Sequence, residues 1–214
     1  IFLVKEDSPR NKIVVWTSSF HPVIGGVQTA AKEIGIYFHK KNWDVSFITN
    51  RYPRILDKKD VIKKMAIYRF TFLHSPFNYL RSFRLDLMFA WIFYKPFTLV
   101  KLIFLIRKIK PNIVHIHYPD AQIFEIFVLK KIFEFDLIIS CHGNDIIQLE
   151  SISKNNFKYK IFQKLLDKTF LITACSDFLK NKILKISSKS NHNKIQTMYN
   201  GVSDSFLNKH LKRE

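Results

Sequence analysis

Two segments of this sequence carry residue types and spacings that chemistry can use. The first is Gly25-Gly26, in the stretch Ser19-Phe-His-Pro-Val-Ile-Gly-Gly26. Glycine admits positive φ and lets a ligand come close to the backbone. If a helix starts here, the N–H groups of Gly26, Val27 and Gln28 are free and aimed at an anion. A plain tight turn uses the same pair. Residues 24–29 lack the G-x-G-x-x-G spacing of a dinucleotide site, and there is no Walker A loop. The second segment is His142-Gly-Asn-Asp145. His142 offers a hydrogen bond to a sugar hydroxyl or a phosphate, and Asp145 either accepts from a hydroxyl or caps a turn.

His115 and His117 stand two apart, so on a strand they share a face. A metal pair there lacks a third ligand at suitable spacing, and Cys141 belongs to no C-x-x-C. The alternative places one imidazole in the interior and His117 near the strand end. No G-x-S-x-G elbow and no paired-carboxylate spacing are present.

The elements that must hold these residues alternate. Strands are expected at 12–18, 44–49, 66–73, 112–117, 135–141, 169–174 and 194–199, each apolar and rich in β-branched residues. Helices are expected at 26–41, 85–110, 122–133, 157–168 and 177–186. Pro96 marks a break or a new start within 85–110, and Ser176 is a good N-cap. Such alternation predicts an α/β fold, a doubly wound parallel sheet of the Rossmann-like kind. Its ligands bind beyond the C-terminal strand ends, where strand order reverses. The glycine loop, Asn50-Arg51, His117 to Asp120, His142 to Asp145 and Cys175 to Asp177 all fall there.

Composition narrows the class. The 214 residues include 35 Lys+Arg against 17 Asp+Glu, a formal net charge of +18, with 47% hydrophobic residues. That is too apolar for a disordered chain. Two cysteines exclude a disulfide scaffold. No run of about 18 residues is free of charge or proline, so no membrane span is expected. With no export signal in view, the cytoplasm is expected, with Cys141 and Cys175 reduced. The charge admits nucleic acid, an anionic membrane or a phosphate-bearing ligand, or reflects no more than a solvated surface. Arg69 to Lys110 holds eight Lys/Arg, one acid and eleven aromatics. Arg81, Arg84, Lys95 and Lys101 are therefore candidates to face an anionic membrane.

Five motifs in order carry a resemblance: Ser19 to Gly26, Pro111-Asn-Ile-Val-His-Ile-His117, Ser140-Cys-His-Gly-Asn-Asp145, Thr173-Ala-Cys-Ser-Asp177 and Tyr199-Asn-Gly-Val202. Together they resemble the N-terminal domain of a GT-B-fold, family 4 type retaining glycosyltransferase. The resemblance implies transfer from a nucleotide-sugar donor to a glycan or lipid-linked acceptor, with no cofactor, no metal and no nucleic acid partner. By position, Gly25 and Gly26 match the pair that approaches the donor diphosphate, and His142 matches the catalytic-site histidine facing the sugar. His21, His117, Asn144 and Asp145 become candidate sugar or acceptor contacts. Asn200 and Gly201 match the turn toward a second domain, where Ser203 and Asp204 replace the usual Asp after Val202.

The expected organisation is a leader at 1–11, the domain at 12–202 and the start of an interdomain linker at 203–214. The family's nucleotide-binding second domain is not in this sequence, so the chain alone is expected to be inactive. A rival reading is a non-catalytic basic α/β module for anionic lipid or nucleic acid. RNP1-like aromatic motifs, which an RNA binder of that kind would use, are absent.

Overall fold

A computed structural model describes residues 11–73 and 85–201. The expected leader (except Asn11), the linker at 203–214, and Arg81 and Arg84 lie outside the described residues. The elements are β1 (Lys12–Thr17), α1 (Gly26–Lys40), β2 (Asp44–Asn50), β3 (Lys59–Ile62), β4 (Met65–Phe70) and α2 (Leu85–Ile109). After them come β5 (Ile113–His117), α3 (Ile123–Ile132), β6 (Asp136–Cys141), α4 (Asn144–Glu150), α5 (Phe157–Asp167), β7 (Leu171–Ala174), α6 (Asp177–Ile186) and β8 (Ile195–Thr197).

The eight strands form one sheet in the order β3-β4-β2-β1-β5-β6-β7-β8. Every pairing is parallel except β3 with β4. The parallel strands therefore end on one edge, and order reverses between β1 and β5.

The strands are buried on both faces, which explains their unbroken apolar runs. Alternate residues serve two cores. Ile13, Val15, Phe47 and Ile67 join Ala31 and Ile36 of α1 on one side. Val14, Trp16, Ile116 and Ile139 join α2, α3, α5 and α6 on the other, through Leu102, Ile126, Leu165 and Ile183. Gly35 sets how closely α1 approaches the sheet: a Cβ there would run into the Phe47 ring, 3.1 Å from Cε1. The sheet is thus doubly wound, as expected.

Three features differ from the sequence expectation. An extra strand, β3, adds an antiparallel edge, turned through Lys63 and Lys64 at φ 48° and 67°. Residues 144–150 form the short helix α4. Pro96 does not break α2, which runs 25 residues through it. The hydrogen bond that Pro96 forfeits belongs to the carbonyl of Ile92, and both residues are solvent-exposed, so water can satisfy that oxygen. The N-cap expected at Ser176 is present: its Oγ accepts from the Leu179 N–H at 3.2 Å.

Candidate active site

The site begins with register. Thr17, the last residue of β1, pairs with His117, the last of β5, and His117 pairs with Ser140 of β6. The loops that start at Ser18, Tyr118 and His142 therefore leave the sheet side by side, at the switch point.

The Ser18–Gly25 loop is held from several sides. Thr17 Oγ1 donates to the Ser19 carbonyl at 2.6 Å, and Gln28 Nε2 donates to Ser19 Oγ. Phe20 stacks on Phe47 with ring centroids 4.3 Å apart. Arg69, buried on β4, donates to the His21 carbonyl at 2.8 Å and the Asp57 carbonyl at 3.2 Å, and pairs with Asp60 at 2.9 Å. That guanidinium holds the Asp60 carboxyl below the usual range. His21 itself is exposed.

Gly25 is the N-cap of α1 and Gly26 its first residue. The expectation of positive φ is corrected: Gly25 is extended at φ −176°, which any residue adopts. What glycine supplies is room. A Cβ on Gly25 would collide with the Gln28 amide that fixes Ser19, whereas a Cβ on Gly26 would meet nothing within 4 Å. Gly25 provides no side-chain cap, and the first turn contains no acid. The leading amides of α1 thus retain a positive end open to an anion.

Across the switch point lies a column of three histidines. The rings of His115 and His117 lie with centroids 4.2 Å apart and planes tilted by 36°, and those of His117 and His142 stack with centroids 5.3 Å apart. His115 Nε2 meets Ser140 Oγ at 2.8 Å, and Ser140 Oγ meets Thr173 Oγ1 at 2.7 Å. His117 Nδ1 and His142 Nε2 are 3.1 Å apart. Burial pushes His142 down to about 4; burial, then the charge of His142, pushes His115 down to about 4. Burial, then its two neighbours, holds His117 well below the usual range. All three are neutral at pH 7.

Neutrality assigns the tautomers. His117 Nε2 is buried with no partner. An orphaned buried N–H is rarer than an under-satisfied acceptor, so the proton of His117 sits on Nδ1 and is donated to His142 Nε2. His142 must then carry its own proton on Nδ1. Among the described residues, no group of three or more His, Cys, Asp or Glu could hold a metal ion.

Two of the candidate sugar or acceptor contacts, His117 and Asp145, are buried, and so is Lys95. His117 is 1% exposed and stands behind His142. Asp145 is buried: its carboxylate accepts the N–H groups of Gly143 at 2.8 Å and His142 at 3.2 Å. It holds the turn, in which Gly143 has φ 125°. Lys95 does not face a membrane. It is buried, 2.7 Å from the Glu125 carboxylate, because an aliphatic stem and a paired charge fit between α2 and α3. Asn144 is exposed and donates to Tyr118 Oη at 3.3 Å. Lys101 is exposed, and so are Asn200 and Gly201 beyond β8.

The sequence reading missed Arg69, the side chain of Gln28 and the pair Asp120–Lys158, 2.7 Å apart. Arg69 had a signal: a charged residue inside the apolar strand Met-Ala-Ile-Tyr-Arg-Phe. The Asp120–Lys158 pair rims a cavity of about 450 Å³ lined by Leu73, Trp91, Phe124, Ile152 and Ile161. It lies at the ends of β4 and β5, as a ligand site in this fold should. A larger cavity of about 630 Å³ opens at the starts of β5 and β6, away from the histidines.

An open sheet with a glycine loop at its switch point is the architecture of a Rossmann-like domain, here of the GT-B type. The sequence matches the family model described as Glycosyltransferase Family 4 over residues 24–206. The chain belongs to glycosyltransferase family 4. No curated protein sequence matches it.

Solved structures agree on the fold. Sucrose-phosphate synthase from Thermosynechococcus elongatus superposes with a TM-score of 0.64 at 13% identity, covering 95% of this chain and 53% of that one. A glycosyltransferase from Rickettsia africae gives 0.58 at 17% identity, covering 95% and 49%. Anabaena HepE, in complex with UDP and glucose, gives 0.55 at 15% identity, covering 95% and 50%. The chain spans about half the length of these structures.

Proposed function

We propose that this domain is the acceptor-side half of a retaining glycosyltransferase. It acts with a nucleotide-binding half to move a sugar from a nucleotide-sugar donor to a glycan or lipid-linked acceptor. The observation that carries the reading is the uncapped start of α1 at the switch point, with open space over Gly26. Family membership supports it, and so do the neighbours' folds. HepE is a complex with UDP and glucose.

The chemistry follows from charge. A departing nucleoside diphosphate gains negative charge as the glycosidic bond breaks. Fixed N–H groups stabilise that charge without reorganising. The amides of Gly26, Val27 and Gln28 supply them here, so no metal is needed for this role. His142, neutral and protonated on Nδ1, donates to a sugar hydroxyl or a phosphate oxygen. The cavity beside Asp120 and Lys158 takes the acceptor. On this reading the chain alone gives no turnover, because half a cleft cannot exclude water.

The test is amide NMR of the 214-residue chain titrated with a panel of nucleoside diphosphates, nucleotide sugars and the parent nucleosides. Weak binding should move the amides of Gly26, Val27, Gln28 and His142, and only with the diphosphate present. Robust sugar transfer by the chain alone, or diphosphate shifts confined to other parts of the domain, would overturn the reading.

A further inference from the structure

Helix α2 is amphipathic the wrong way round for a fully packed element. Lys95, Thr98, Leu102 and Ile106 turn inward and are buried. The outward face carries Leu85, Phe89, Ile92, Phe93, Phe97 and Phe104, which at about 100° per residue fall within an arc of about 140° and so share one side. Phe93 is 64% exposed, Phe97 66% and Phe104 63%. From Leu85 to Phe104 this stripe is about 28 Å long at the helical rise. Contiguous exposed apolar surface of that extent marks an interaction site.

Charge says what the surface meets. Lys101, Arg107 and Lys108 are exposed along the same helix, and Asp86 is its one acid. The whole chain carries +18. A second copy seated symmetrically on this face would bring like charges together. An anionic partner is complementary. The surface is a convex helix face rich in phenylalanine and flanked by cations, which suits the headgroup boundary of a bilayer. Among the described residues, no helix is long and apolar enough to cross a membrane, so α2 would lie in the plane.

We propose that the outer face of α2 docks this domain on anionic lipid bilayers. Phe93, Phe97 and Phe104 enter the acyl boundary, and Lys101, Arg107 and Lys108 meet lipid phosphates. This surface replaces Lys95 as the membrane contact. It is independent of the sugar-transfer reading, since it requires no turnover.

Liposome flotation of the 214-residue chain tests it, using phosphatidylcholine vesicles with and without phosphatidylglycerol. Binding should require phosphatidylglycerol and fall as salt is raised. The triple variant Lys101→Gln, Arg107→Gln, Lys108→Gln should bind at least about tenfold more weakly. So should Phe93→Ser, Phe97→Ser, Phe104→Ser. If the latter misfolds, Phe97→Trp gives a second readout. Lipids brominated on their acyl chains should quench it but leave Tyr37→Trp, on the opposite face of the sheet, unaffected. Equal recovery with neutral and anionic vesicles, no effect of the charge triple, or no quenching of Phe97→Trp overturns the proposal. A stable dimer abolished by the phenylalanine changes, without flotation, overturns it too and assigns the face to a second copy.

Discussion

His117 Nδ1 lies 3.1 Å from His142 Nε2, and the remaining nitrogen of His117 is buried without a partner. The inner histidine therefore decides which nitrogen of the outer one is protonated. The nitrogen spectrum of histidine-labelled protein at pH 7 should show His142 protonated on Nδ1. His117→Asn places an amide donor near the position of Nδ1 and should preserve that signature. His117→Phe should scramble it and, in the two-domain enzyme, lower transfer by about tenfold or more. An unchanged His142 spectrum in the phenylalanine variant would remove His117 from this role.

The two glycines should respond differently to substitution. Gly26→Val points into open space, so the melting temperature should hold, while in the complete two-domain enzyme sugar transfer drops by about 100-fold, as for loss of an oxyanion donor. Gly25→Ala should displace the Gln28 amide from Ser19, loosening the loop in hydrogen exchange and raising KM in the two-domain enzyme. Near-normal kcat/KM in folded Gly26→Val would show that nothing binds there.

Protonation should cost stability in acid. His115 is pushed from 6.5 down to about 4 in the fold, so the unfolded chain takes up the proton first as pH falls. Its contribution is fully present above pH 6.5 and is lost as pH falls toward 4. Between pH 7 and 5 the share of His115 in the loss should be about 2 kcal/mol, read as the difference in urea midpoints between the parent and His115→Leu. His115→Leu should remove that share and leave those of His117 and His142, and Ser140 keeps its bond to Thr173. An equally steep slope in the variant would mean that another group carries the effect.

Lys95 and Glu125 should behave as a buried pair. Burial pushes the Glu125 carboxyl up, and Lys95 opposes the shift. Lys95→Met leaves a carboxyl alone in the core and should cost about 3–5 kcal/mol. Adding Glu125→Leu should restore most of it. Chemical denaturation of the two singles and the double measures the coupling, and additive losses would refute it.

The alternation of strands and helices was legible because doubly buried strands read as apolar runs and helices as periodic ones. So was the gathering of Gly25, His117 and His142 at one edge, which topology alone requires. The β3 hairpin was not legible, since Lys63 and Lys64 adopt left-handed φ where glycine or asparagine would have given notice. Helix α4 spans seven residues, too few to show a period. Lys95 sat among aromatics in the chain, and its partner, Glu125, is brought to it only by the packing of α2 on α3. The contact of His117 with His142 required the register of β5 against β6 and a turn folded by Asp145. Sequence spacing shows neither.

Arg69 gives the outer edge of the sheet a hold on the glycine loop. One guanidinium ties the carbonyl of His21 to the carbonyl of Asp57 and to Asp60 on β3. The edge hairpin is therefore a foundation of the loop, although it lies outside the crevice. Sequence drift in residues 53–64 can retune how stiffly the loop is presented while every ligand-facing residue stays the same. For protein engineering, that hairpin is a remote handle on the site, and for a reader of variants it is a place where a change at the periphery has central consequences.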